Sequence, residues 1–188
     1  MNESMKNDFQ RDKYIILRKA ISDETLGLIT NYLTLQKENN YFSPDKYFPN
    51  TKYLDLVMQS LLMLLQSKIE TVTGKSLFPS YSHLLIYSPG DYLPPHTDRD
   101  ACEYSATLAL SYDCDFIWPI FVMNGDQKVD VFLDKGDMLI YKGCEVTHGR
   151  DIFSGKSWTQ VFFHYVDQFG EFKEWKYDKN PSIAFQPS

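Results

Sequence analysis

A mainly β fold of the α+β class, an antiparallel sandwich or barrel with two N-terminal helices on one outer face, is what this sequence predicts. Three observations carry it. Apolar residues recur at helical spacing as far as Thr73, but from Leu77 onward they fall into short runs divided by turn residues. The aromatic share is 15%, with 13 Tyr and 13 Phe, which suits sheet and pocket walls. Asn124-Gly125 lies between two such runs, the strongest short hairpin signal there is.

Taken in order, Met1 to Asp12 is polar and reads as a frayed tail, and Lys13 to Arg18 as a short strand. Ser22-Asp23-Glu24 is an N-cap followed by first-turn acids, opening a helix whose stripe is Leu26, Ile29 and Leu33 and which stops within Gln36 to Asn40. Asn39 to Tyr53 mixes Tyr41, Phe42, Tyr47, Phe48 and Tyr53 with Pro44 and Pro49. It reads as an irregular loop that packs its aromatics on the body, or as a lid. Leu54 to Thr73 is the second helix, with Gly74 placed for its C-cap. The predicted strands are Tyr81 to Tyr87, Tyr104 to Tyr112, Phe116 to Met123, Lys128 to Leu133, Met138 to Tyr141 after the Gly136-Asp137 turn, and Trp158 to Val166. Trp118-Pro119 marks an edge or bulge, because Pro donates nothing to a ladder.

The length of 188 residues fits one domain, with helical support over 20–75 and a β core over 77–167. A net charge of −6 without a basic run argues against a nucleic-acid surface. No apolar stretch reaches membrane-spanning length and the first residues are polar, so a cytoplasmic location with no membrane partner is expected. Cys102, Cys114 and Cys144 form an odd, unclustered set, which excludes a disulfide frame and a thiolate zinc site.

The chemistry-bearing stretch is Leu84 to Asp98: an apolar strand, a Pro89-Gly90 turn, a rigid Pro94-Pro95 entry, then His96-Thr97-Asp98. In an extended chain His96 and Asp98 share a face. A third ligand must return from elsewhere, and His148, at the mouth of a later strand, completes a two-histidine, one-carboxylate set that leaves adjacent metal positions open. His83 and His164 read as packed strand histidines. Arg99, Asp100 and Glu103 either reach the cavity mouth or form a self-paired loop, and Glu145 has no role.

Tyr87-Ser88-Pro89-Gly90, His96-Thr97-Asp98, the Gly136-Asp137 turn, His148, Gly155 and the terminal strand Val161 to Tyr165 together resemble the Fe(II)/2-oxoglutarate-dependent dioxygenases, especially their prolyl-hydroxylase-like branch. The resemblance covers about residues 80–167 and implies a double-stranded β-helix, or jelly roll, preceded by helices. It implies Fe(II) on His96, Asp98 and His148, 2-oxoglutarate as co-substrate, ascorbate as an optional reductant, and hydroxylation by O2 of an aliphatic C–H on a peptide or small molecule, with release of succinate and CO2. Tyr87 matches a tyrosine that lines the co-substrate pocket in relatives. The chain departs from the family at the cation for the far carboxylate. Relatives place Arg or Lys on the last strand where this chain has Ser157, Trp158 and Thr159. Lys156 is one position short and Arg150 sits two residues past His148; the sequence does not choose between them. The departure leaves room for a cupin-like jelly-roll enzyme that does not use 2-oxoglutarate.

Overall fold

A computed structural model describes residues 2–46 and 48–180, so that Met1 and Tyr47 lie outside the described residues. Its centre is β10 (Ser157–Asp167), which pairs antiparallel with β3 (Leu77–Tyr87) on one side and β5 (Tyr104–Asp113) on the other. Around it, β1 (Tyr14–Leu17), β2 (Thr51–Tyr53) and β8 (Met138–Lys142) complete a six-stranded sheet in the order β1-β8-β5-β10-β3-β2. A second antiparallel sheet is made of β4 (Leu93–His96), β6 (Ile120–Asn124), β7 (Gln127–Val131) and β9 (His148–Arg150), in the order β4-β9-β6-β7. Gly125 and Asp126 turn the β6–β7 hairpin, as the Asn-Gly signal predicts.

Side-chain alternation sorts the large sheet into two faces. Val161, Phe163 and Tyr165 of β10, with Ala106 and Leu108 of β5, bury against the helices; Trp158 and Phe162, with Ala109, face the second sheet. The helices are α1 (Asn2–Asp12), α2 (Asp23–Glu38) and α3 (Leu56–Thr73), and none is long and apolar enough to cross a membrane. Ser22 and Asp55 cap α2 and α3, each side chain accepting from backbone N–H groups of the first turn.

The N-terminal stretch differs from its expectation as a frayed tail. It forms α1, because Phe9 is fully buried and stacks near Tyr104 at 6.3 Å, with Met5 one turn back on the same face. Two apolar residues are too few to show as a period, yet they suffice once α3 and β5 supply a surface. Gln10 adds a bond from Nε2 to Thr73 O of 2.9 Å, covering the end of α3.

Asp137 ties the entry of β8 to the start of the chain. Its carboxylate is 5% exposed and accepts from Lys19 N at 2.9 Å, Asp134 N at 3.0 Å and Arg18 Nη1 at 2.6 Å. Asp137→Ala leaves those donors without their charged acceptor, and we expect a loss of about 3 kcal/mol of stability, read by urea unfolding.

Candidate metal centre

Residues His96 and His148 face one another because β4 and β9 pair antiparallel in that register. Their rings lie 4.4 Å apart between centroids. Asp98, just past the end of β4, is held by its own N–H donating to Gly143 O at 2.8 Å. Its Oδ1 stands 3.5 Å from His96 Nε2 and 3.6 Å from His148 Nε2. Two donors each bound to a metal at right angles lie about 3 Å apart, so slight closure around an ion brings these atoms to bonding distance.

Each ring is oriented by its other nitrogen. His96 Nδ1 donates to Pro94 O at 2.8 Å and His148 Nδ1 to Val146 O at 2.9 Å, which leaves both Nε2 atoms turned towards Asp98. The carboxylate's second oxygen accepts from Ser105 Oγ at 2.8 Å. Burial works against ionisation of Asp98, but the His96 and Ser105 hydrogen bonds and the nearby imidazoles more than offset it and hold its pKa at about 2. The hydrogen bond to Asp98 raises His96, whereas burial lowers His148.

A cavity of about 130 Å3 opens beside the three side chains, walled by Phe48, Tyr81, Tyr87, Tyr141 and Phe162 among others. Tyr87 leads deeper, between the sheets, to Arg150. That guanidinium is 1% exposed, sits 4.5 Å above the Trp118 ring and 5.9 Å from the Tyr87 ring, and has no carboxylate paired with it among the described residues. It donates to Trp118 O at 2.8 Å and to Gln160 Oε1 at 3.1 Å. Burial lowers its pKa to about 10, so it remains a cation at neutral pH. Three buried donor groups in this knot, Arg150 Nε, Tyr87 Oη and Trp118 Nε1, have no acceptor. Leaving such groups unpaired costs about 1–3 kcal/mol each, and all three are available to an acceptor from outside the chain.

No protein-family model matches the sequence and no curated protein matches it. Solved structures do match. A Pseudomonas putida prolyl-4-hydroxylase superposes with a TM-score of 0.73 at 13% identity, covering 89% of this chain and 99% of that one. A Burkholderia pseudomallei oxidoreductase of the 2OG-Fe(II) oxygenase family gives 0.71 at 12% identity, over 88% and 89%. A Trichoplax adhaerens prolyl hydroxylase in complex with a hypoxia-inducible-factor peptide fragment gives 0.72 at 11% identity, over 89% of each chain. The chain has the 2OG-Fe(II) oxygenase fold.

On that oxygenase fold the residues singled out in the sequence divide clearly. His96, Asp98 and His148 come together, with one ligand atom from each within 4.8 Å of the others. Tyr87 and Arg150 meet in the inter-sheet knot, while Lys156 is on the surface, its side chain 81% exposed and 3.5 Å from Asp113. Glu103 accepts from Asp167 N, Glu145 pairs with Lys13 and Lys142, and Arg99 pairs with Asp178 at 2.8 Å beneath the kinked 3-10 segment Lys173–Lys179. His83 and His164, expected as packed strand histidines, do pack in strands, and both also line the cavity. The loop before β2 sends Phe48 into the wall, 5.2 Å from the Tyr87 ring.

Sequence reasoning overlooked Trp118, Gln160 and Ser105. Alternation along β10 from Trp158 would have put Gln160 on the inner face, and alternation along β5 would have done the same for Ser105 and Thr107. Trp118 sits in the irregular approach to β6, where no period exists to follow.

Protons and a metal ion compete for His96 Nε2. Because the hydrogen bond to Asp98 raises His96 above its ordinary value, protons compete at a higher pH than they would for a free imidazole. Mn(II) affinity measured calorimetrically from pH 8 to pH 6 should therefore fall steadily as the pH drops, and a flat profile would remove His96 from the ligand set.

Proposed function

We propose that this protein is an Fe(II)- and 2-oxoglutarate-dependent oxygenase that hydroxylates an aliphatic C–H, a single-domain enzyme on a double-stranded β-helix. The observation that carries the reading is the buried guanidinium of Arg150, paired with no carboxylate among the described residues, lying beyond a His, Asp, His cluster in one interior. A metal cluster alone fits many enzymes. A metal cluster with an unpartnered buried cation behind it fits a chelating co-substrate that is anionic at its far end.

In this reading His96, Asp98 and His148 hold the iron by one face, keeping adjacent positions free for ligands. Arg150, assisted by Tyr87 Oη and Trp118 Nε1, takes the far carboxylate of 2-oxoglutarate; Lys156 is left as a solvated surface lysine. The bound pair supplies oxidative decarboxylation to succinate and CO2 with transfer of one oxygen atom from O2 to the substrate. The chain's own work is to orient and to exclude water. Asp98, kept anionic, balances charge, the Nδ1 hydrogen bonds keep both imidazoles aimed, and rings on most sides of the cavity limit the access of bulk water. The cation of the last strand in relatives is replaced by one on β9, which answers the departure that favoured a 2-oxoglutarate-independent jelly-roll enzyme.

Among the described residues the substrate side is lined by Phe48, Tyr81, His83 and His164, and Arg99, 4.8 Å from the Tyr81 ring, is paired with Asp178. That suits an uncharged group of a peptide or of a small molecule, and the neighbours include an enzyme bound to a peptide.

Anaerobic addition of Fe(II) and then 2-oxoglutarate should produce a weak visible charge-transfer band, absent in His148→Ala. Arg150→Met should retain iron but bind 2-oxoglutarate about 100-fold more weakly, the consequence of losing a charge-assisted pair worth about 3 kcal/mol. Lys156→Ala should titrate like the parent. The reverse pattern would transfer the anchor to Lys156, and iron binding without any band would remove 2-oxoglutarate from the reading.

A further inference from the structure

Ser105 lies between the metal cluster and a histidine that the proposed reaction does not use. Its Oγ is 2.8 Å from Asp98 Oδ2, 2.9 Å from His164 Nδ1 and 3.2 Å from Cys102 O. All of these groups are on the buried side of Asp98, with Ser105 fully enclosed and His164 5% exposed. A hydroxyl has one proton to give. Of the acceptors in reach the carboxylate is the charged one, so the proton goes to Asp98 Oδ2.

That choice determines the tautomer of His164. If Ser105 donates to Asp98, its oxygen is left as an acceptor towards His164 Nδ1, which must carry the ring proton. Burial lowers the His164 pKa to about 4, so the ring is neutral and has only one proton to place. The result is a directional chain, His164 Nδ1–H to Ser105 Oγ–H to Asp98 Oδ2.

The surroundings are close-packed. A side chain at Gly143 would come within 2.5 Å of Asp98 Oδ2, 2.7 Å of Ser105 Oγ and 2.1 Å of Cys102 O, so backbone presses directly on the pair. Asp98, Cys102 and His164 also lie within 4.8 Å of one another, but this is no second metal site. His164 Nδ1 is committed to Ser105, and burial, the dominant cause, pushes the Cys102 thiol well above its ordinary value, with Tyr81 Oη 3.1 Å away.

We propose that Ser105 and His164 are positioning residues that hold Asp98 to the metal through one oxygen. Oδ2 is occupied by the chain, and only Oδ1 faces the two imidazoles. A carboxylate free to turn would offer both oxygens and occupy a position that a chelating co-substrate needs. The inference rests on the metal-centre reading and adds to it the machinery that keeps the carboxylate monodentate.

The test uses Mn(II) as probe on the full chain and two readouts. In the metal-free parent, long-range nitrogen-proton NMR of imidazole should show His164 neutral and protonated at Nδ1. By calorimetry, Ser105→Ala and His164→Phe should bind Mn(II) about 10–100-fold more weakly than the parent. His164→Asn, whose amide N–H can stand where Nδ1 stood, should recover most of the loss, as a merely space-filling role would not allow. Unfolding midpoints of the metal-free variants identify any that fail to fold, and the tautomer readout needs no variant. An Nε2–H tautomer, or His164→Phe and Ser105→Ala binding Mn(II) as tightly as the parent, would overturn the positioning chain. Failure of the parent itself to bind Mn(II) would instead overturn the metal-centre reading.

Discussion

The pairing of β4 with β9 is the constraint on which the rest of the site depends. The two strands are four and three residues long, and two of the four in β4 are prolines with no N–H to donate. So short a ladder would not hold its own register. It is clamped from both ends: Gly90 N donates to Phe153 O at 2.8 Å, Phe153 N to Asp91 O at 2.8 Å, and beyond the histidines Asp98 N donates to Gly143 O at 2.8 Å. A slip of one residue would turn His96 to the opposite face and separate it from His148. Gly149 contributes by having no side chain, since a Cβ there would lie 2.6 Å from Leu93 O and 2.7 Å from the Phe121 ring. The close approach of the two strands requires that absence.

The two faces of the large sheet have different work. Against the helices the cluster is apolar throughout, with Phe9, Met58, Ile69, Leu108 and Phe163 fully buried, and truncating such residues to alanine commonly costs about 2–5 kcal/mol each. Between the sheets the interior mixes Trp118, Trp158 and Phe162 with Arg150, Gln160 and Thr107. Unpaired donors and a lone cation are tolerable there because the helical face supplies the stability. Functional strain in one layer is carried by ordinary packing in the next.

Much of this was legible beforehand. Strongly patterned strands such as β5, β8 and β10, the Asn124-Gly125 hairpin and both capped helices all follow from local spacing and turn chemistry, which tertiary contacts here reinforce. The convergence of His96, Asp98 and His148 was legible because His96-Thr97-Asp98 is a local signal and only His148 had to return from a distance. What escaped lacks local signal. β4 holds two prolines, β9 is three residues long, and α1 has one buried anchor; each exists because a neighbour is there to receive it. The choice between Arg150 and Lys156 was equally invisible, because spacing along the chain says which residues are near in sequence and not which one turns inward.

The inward turn of Arg150 puts a buried cation on β9 where β10 has none. Arg150 and His148 are two apart on one strand and project to the same side, so a candidate metal ligand and the buried charge share a single rigid element. β10 still contributes, through an amide. Gln160 Oε1 accepts from Arg150 Nη2 at 3.1 Å and from Trp158 Nε1 at 2.8 Å, while Gln160 Nε2 donates to Thr107 Oγ1 at 2.5 Å. Those contacts reach one edge of the guanidinium, and Trp118 lies across its face at 4.5 Å. The planar fork is thereby fixed in two directions by the chain itself, so little rotamer freedom remains for any ligand to remove. A lysine at Ser157, Trp158 or Thr159 would bring a charge on a flexible stem from a second strand. Here the charge sits on the second sheet, and Gln160 of β10 in the facing sheet helps to orient it.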